Sequence, residues 1–158
     1  MIEFDIKIGS DDLYDFKLKH TYSSSSGIVG TTFGAVLIVL SFYKQSPLPL
    51  VLGLIVLFYQ PVVLWINSKK QAILNNVYKK PLHVVIDDEG VTVSQDETET
   101  KCAWDDFRKA VSTTRSIILY NTGINAVIFP KKQLGDKKAE VIAAISRNMP
   151  PARVNIKE

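Results

Sequence analysis

The side chains that could do chemistry in this 158-residue chain are few and poorly spaced for it. Cys102 is the only cysteine, so an intramolecular disulfide and every two-cysteine metal spacing are excluded. It could meet His83 across strands as a thiolate–imidazole pair, but a cysteine in an alternating strand more often behaves as a small buried hydrophobe. His20 precedes a long apolar run, where an interfacial residue is a plainer reading than a pH sensor or a base. Asp87, Asp88 and Glu89 form an acidic cluster without the spaced oxygen ligands of a calcium loop, which reads as a solvated turn. Asp105 and Asp106 are adjacent; on an extended chain they point to opposite sides and cannot share a proton. No glycine-rich phosphate loop or dinucleotide fingerprint occurs. This inventory points away from an enzyme and offers no catalytic residue, metal site or cofactor.

The elements around these residues are more informative. From Gly27 to Ile66 the chain holds two apolar runs separated by a polar break at Lys44, Gln45 and Ser46. Ile28 to Tyr43 carries no charge and as a helix reaches about 24 Å; Leu48 to Ile66, also uncharged, is long enough to span a hydrocarbon core of about 30 Å. Pro47 and Pro49 suit a first helical turn. Tyr22, Phe42, Tyr43 and Trp65 sit where the runs would meet water. The expectation is a transmembrane helical hairpin over 27–66, retained in the mature protein because a second span follows the first at once.

Charge gives an orientation. Residues 1–26 hold three lysines against five acids, whereas residues 67–158 hold fifteen Lys and Arg against eleven acids. Lys17 and Lys19 precede the first span, Lys69, Lys70, Lys79 and Lys80 follow the second, and only Lys44 lies between, so the positive-inside rule places both termini in the cytoplasm. Basic and acidic residues are interspersed, without the concentrated aromatic-bearing basic face that nucleic acid requires.

Within the spans, Gly27, Gly30 and Gly34 with Thr31 and Ser41 make a stripe of small residues that admits a close neighbour. Packing against the second span is the first expectation and a homodimer the second. Pro61 should bend the second helix, and Gln60 needs a partner in the bilayer. Pairing residues near 43 with residues near 48 sets Gln60 opposite Thr31 and Thr32. The membrane-packing set is therefore Gly30, Thr31, Thr32, Gly34 and Gln60.

Outside the spans, residues 1–26 read as a strand (2–7) and a short helix capped by Ser10, with Leu13, Phe16 and His20 on one face. Residues 67–81 read as a juxtamembrane continuation of the second helix, stopped by Pro81, whose Lys69, Lys70, Lys79 and Lys80 are candidates for anionic lipid headgroups. Residues 82–158 read as a separate small domain: strands at 82–87, 91–95, 100–104, 107–113, 116–120 and 124–129 form an antiparallel meander, with Gly90 supplying an unusual backbone angle in the first turn. A helix capped by Asp136 and running to about Asn148 closes the sheet. The fold class is α+β. Trp104 and its apolar neighbours read as core.

The run CAWDDFRKAVSTTRSIILYNTGINAVIFPKKQL, with this element order, resembles the YcxB-like protein family. The resemblance is carried by Trp104 with Asp105, Asp106 and Phe107, by Ile117 to Tyr120, by Phe129, Pro130 and Lys131, and by Phe58 to Pro61 in the second span. It implies a strand and helix, a membrane hairpin, a domain similar to pleckstrin homology (PH-like) folds, and the bacterial cytoplasmic (inner) membrane as a multi-pass location. It implies no activity. The expected function is that of a non-enzymatic membrane protein presenting a cytoplasmic domain to a protein partner, in a regulatory or immunity-type role. The alternative is an anionic-lipid headgroup-binding module.

Overall fold

The computed structural model describes residues 1–122 and 125–156. Ile2–Ile6 form β1, whose alternation of Phe4 and Ile6 with charged residues buries one face. Helix α1, Ser10–Tyr22, follows, then two long helices, α2 (Ser25–Lys44) and α3 (Pro47–Leu74), joined at Gln45 in a left-handed conformation. After a short 3-10 turn at Asn76–Tyr78 come β2 (Leu82–Ile86), β3 (Gly90–Gln95), β4 (Thr98–Ala103), β5 (Lys109–Ser112), β6 (Ser116–Tyr120) and β7 (Ala126–Pro130). Helices α4 (Lys131–Leu134) and α5 (Lys138–Asn148) precede a two-residue strand, β8 (Val154–Asn155).

This is an α+β arrangement with two four-stranded sheets, ordered β1-β2-β3-β4 and β7-β6-β5-β8. All pairings are antiparallel except β5 with β8, which is parallel. A single antiparallel meander was the expectation, and the chain changes sheets at Trp104–Asp106. There Asp106 Oδ2 accepts from Ala103 N at 3.0 Å and the Trp104 indole donates to Asp87 O at 3.0 Å, so the chain turns before β5 can extend β4's sheet. Asp105 and Asp106 thus belong to a short 3-10 turn.

The core lies between the sheets. Phe4 of β1 meets Phe129 of β7 edge-on, ring centroids 5.7 Å apart, and Ile6, Val84, Ile86, Val91, Phe107 and Ile117 fill the same interior. Helix α5 closes it with Val141, Ala144 and Ile145. Residues 1–8 thereby share one core with residues 82–149, because β1 pairs with β2 from Ile2↔Ile86 to Ile6↔Leu82. β6 is buried at all five positions: Ile117 and Leu119 face the core, while Tyr120 on the other face lies under Phe16 of α1. That double burial accounts for its continuous apolar run.

Several local expectations need correction. Helix α3 ends at Leu74 rather than continuing to Lys80, because Asn75 leaves the helix and its side chain accepts from Val77 N, capping the 3-10 turn instead. Gly9, not Ser10, is the N-cap of α1, with its N–H donating to Asp12 Oδ2 at 2.9 Å. Asp136 caps no helix: the chain is already helical from Lys131, breaks at Gly135 (φ +52°), and Asp136 lies in a 3-10 turn before α5. Gly90 does not have a positive φ. A glycine is needed there because a Cβ would come within 2.1 Å of Cys102 O. Asp87 shapes that turn, its Oδ1 accepting from Glu89 N and Gly90 N at 2.8 and 2.9 Å. β4 begins at Thr98, leaving a two-residue turn in which Asp96 adopts φ +53°. The expected turn residue Gly123 and strand residue Ile124 lie outside the described residues.

Candidate functional site

The apolar composition of α2 and α3 makes them helices long and apolar enough to cross a membrane. A core helix would be mostly buried, yet 17 % of α2's apolar window and 6 % of α3's are covered. Their outward faces carry Val29, Phe33, Val39, Leu48, Phe58 and Val62 in the open. The seam between them is set by two glycines. A Cβ on Gly34 would come within 2.8 Å of Leu57 Cγ, and a Cβ on Gly53 within 2.8 Å of Gly34 O, so the backbones approach where neither residue has a side chain. At the hairpin's tip, buried Ser41 donates from Oγ to Ser46 O at 2.8 Å and ties the turn to α2.

The seam's contacts bracket the register set by the loop. Gly34 sits between Gly53 and Leu57, and Gly53 between Gly34 and Ile38, so in the antiparallel pair Gln60 falls between the levels of Gly27 and Thr31. Gln60 and Thr31 do line one crevice, of about 190 Å³, together with Gly27 and Gly30. Thr31 Oγ1 is spent on its own helix, donating to Gly27 O at 2.9 Å, and Thr32 is exposed outside the crevice. Gly30 has open space where a Cβ would be. Of the small-residue stripe, therefore, Gly34 makes the intrachain seam, Gly27 makes room for the backbone of Thr21, and Gly30 touches neither span closely.

The hairpin is fastened to the β domain through α1. Fully buried Ser68 and core-packed Ala72 mark the inward face of α3's last turns, against which α1 packs. From α1, Phe16 and His20 stack on Tyr120 of β6, with centroids 5.7 and 6.1 Å away. Burial raises the Tyr120 pKa and lowers that of Lys17 on α1. A second fastening lies beyond α3. Gln95 Nε2 donates to the carbonyls of Val77, Lys80 and Pro81, and Lys80 pairs with Asp96 at 2.7 Å, so the β3–β4 turn holds the chain that leaves the helix.

The four lysines of this junction are not equivalent. Lys69 lies over the Trp65 ring, 3.7 Å from its centroid, and exposed Lys70 follows it on the helix. Lys79 donates to Asn76 Oδ1 at 2.9 Å, and Lys80 is neutralised by Asp96. Beside them Ile73 and Leu74 are exposed.

The residues inspected for reactivity stay apart. Cys102 on β4 faces Val91, which faces Ile86 on β2, three positions from His83. His83 Nδ1 instead lies 2.8 Å from Asp5 Oδ1 on the exposed face of β2 and β1. Among the described residues no three His, Cys, Asp or Glu side chains are grouped to hold a metal ion. Gly53, the Ser41 tie and the Tyr120 stack escaped sequence reading. So did a basic cleft of about 900 Å³ between α1 and α4, signalled in sequence only by the doublet Lys131-Lys132 after Pro130.

Compared with known proteins, residues 86–145 match the model of the family described as YcxB-like protein, which supports the resemblance read from Trp104 to Lys131. No curated protein and no solved structure matches the chain.

Proposed function

We propose that this chain, with its YcxB-like segment, is a non-enzymatic integral membrane protein whose α2–α3 hairpin spans the bacterial cytoplasmic membrane and whose β domain engages a protein partner in the cytoplasm. The observation that carries this is the pairing of an uncovered apolar hairpin with a domain fastened to it through α1 and the Gln95 clamp. Apolar side chains left open along two helices are stable only in lipid or against another apolar surface. The charge distribution supports cytoplasmic placement of the domain and an outward-facing Lys44 loop. Two sheets packed around one core and closed by α5 support a PH-like fold.

Purification from the native host in mild detergent, with mass spectrometry of the eluate, tests this reading. A stoichiometric protein partner is the expected result; a preparation containing phospholipid and no partner protein contradicts it. Headgroup binding is the second reading, carried by residues 67–81, which hold four lysines and no acid beside exposed Ile73 and Leu74.

A further inference from the structure

The cleft of about 900 Å³ at the start of α1 is walled by Lys7 after β1, Asp11 and Asp12 of α1, Arg115 of the β5–β6 turn, and Lys131 and Lys132 at the start of α4. Its two acids are engaged locally. Asp11 pairs with Arg115 at 3.2 Å, and Asp12 accepts from Gly9 N. Its lysines are not neutralised in the same way. Lys7 and Lys132 have no ion-pair partner among the described residues, and Lys131 Nζ donates to a neutral acceptor, Thr113 O, at 2.7 Å. Partial burial and the neighbouring Lys138 lower the Lys131 pKa, partly opposed by Asp15. Lys7, Lys131 and Lys132 therefore share one concavity with Asp12 as its one carboxylate outside an ion pair, and the lining keeps an excess of positive charge.

The cleft is also held in shape. Gln133 Nε2 donates to Lys7 O and Gln133 Oε1 accepts from Lys7 N, both at 2.7 Å, clamping the β1 wall to the α4 wall. A preformed concavity avoids part of the ordering cost of binding. Pro130 is its only apolar side chain apart from the stems of longer residues, so a nucleobase or other flat apolar ligand finds nothing to stack on. An extended chain bearing carboxylates suits both the volume and the charge. The cleft also lies about 20 Å along α1 from the end that meets the hairpin, away from the bilayer.

We infer that this cleft is a docking site for an acidic segment of a protein partner, with Lys7, Lys131 and Lys132 pairing with its carboxylates; this rests on the protein-partner reading above. The test uses the full chain in detergent and a short fluorescein-labelled peptide alternating Asp and Ser, with an Asn-for-Asp peptide as control. The Asp peptide should bind in a salt-sensitive manner, and Lys7→Glu/Lys132→Glu should weaken it about tenfold. Lys70→Glu/Lys79→Glu, at the other basic patch, should leave binding unchanged. Because Lys7 and Lys132 are exposed, Lys7→Gln/Lys132→Gln provides a milder variant that should show the same direction. Equal binding of both peptides, or equal loss in both charge-reversal variants, overturns the assignment. Purification of each variant from the native host separates the two claims. A partner retained by Lys7→Glu/Lys132→Glu overturns the cleft and leaves the partner reading standing, whereas absence of any partner from the unaltered protein overturns that reading whatever the peptide does.

Discussion

Phe58 and Phe129 are the same residue in opposite settings. Phe129 in β7 is 0 % exposed between two sheets, whereas Phe58 on α3 is 64 % exposed with its ring directed away from the protein. The β domain hides its apolar residues and shows water its Lys, Glu and Thr; β4 is exposed at nearly every position and almost wholly polar. The hairpin does the reverse, spending glycine and serine on its inner seam and leaving Phe, Val and Leu outside. In water the first arrangement is driven by removing apolar surface. The second would be unstable there and is natural where the surroundings are apolar and close backbone packing holds helices together. For the membrane hairpin proposed above, the boundary between the two surroundings falls near Tyr22 and Trp65.

The contrast should appear most strongly in stability. Phe129→Ala empties part of a closed core and should cost about 3–5 kcal/mol. Phe58→Ala removes no internal contact of comparable size and should leave the unfolding midpoint in detergent unchanged. Unfolding of both variants in the same detergent, followed by Trp fluorescence and circular dichroism, checks the pair; equal losses would mean that the exposed face of α3 is packed in the folded protein.

A smaller effect separates the seam from the rest of the stripe. Gly53→Leu forces a side chain onto the backbone of Gly34 and Ile38 and should destabilise the hairpin by about 1–3 kcal/mol. Gly30→Leu, where a Cβ meets open space, should be tolerated. Helical thermal unfolding of the two variants in micelles distinguishes them. If Gly30→Leu instead abolished self-association, its face would belong to a second copy.

Much of this was legible in the residues. Two uncharged runs announce two helices whatever they pack against, and alternation at 82–86 and the Asp96-Glu97 turn announce strands. What escaped depends on contacts distant in sequence. The division into two sheets turns on Trp104 reaching the carbonyl of Asp87, and β8 exists only because β5 offers it an edge. The close approach of Gly34 and Gly53 has no local signal, because it joins glycines on two different helices. Gly90 was recognised as obligatory for the wrong reason: its neighbour Cys102 O is remote in sequence. The clamp between Gln133 and Lys7 spans most of the chain and leaves no local signature.

The smallest predicted effect concerns the turn between β2 and β3. Backbone N–H groups of Gly90 and Glu89, with a lesser contribution from Lys101, hold the Asp87 carboxyl below its ordinary pKa. A depressed carboxylate contributes stability above its unfolded pKa and loses it as pH falls through the folded value. The domain should therefore lose this contribution only on the acid side, below about pH 4. Asp87→Asn, which keeps an acceptor oxygen but cannot titrate, should flatten that limb of the stability curve, as melting temperatures across pH 2–6 would reveal.

Single-cysteine labelling tests the two-solvent account most directly. In a Cys102→Ala background, Lys44→Cys marks the exposed end of α2 at the hairpin's tip and Glu97→Cys marks the exposed β3–β4 turn. An impermeant maleimide applied to intact cells should label Lys44→Cys, and should label Glu97→Cys only after the membrane is opened, with both variants remaining in alkali-washed membranes. Labelling of Glu97→Cys in intact cells, or release of the protein by the alkaline wash, would contradict the account.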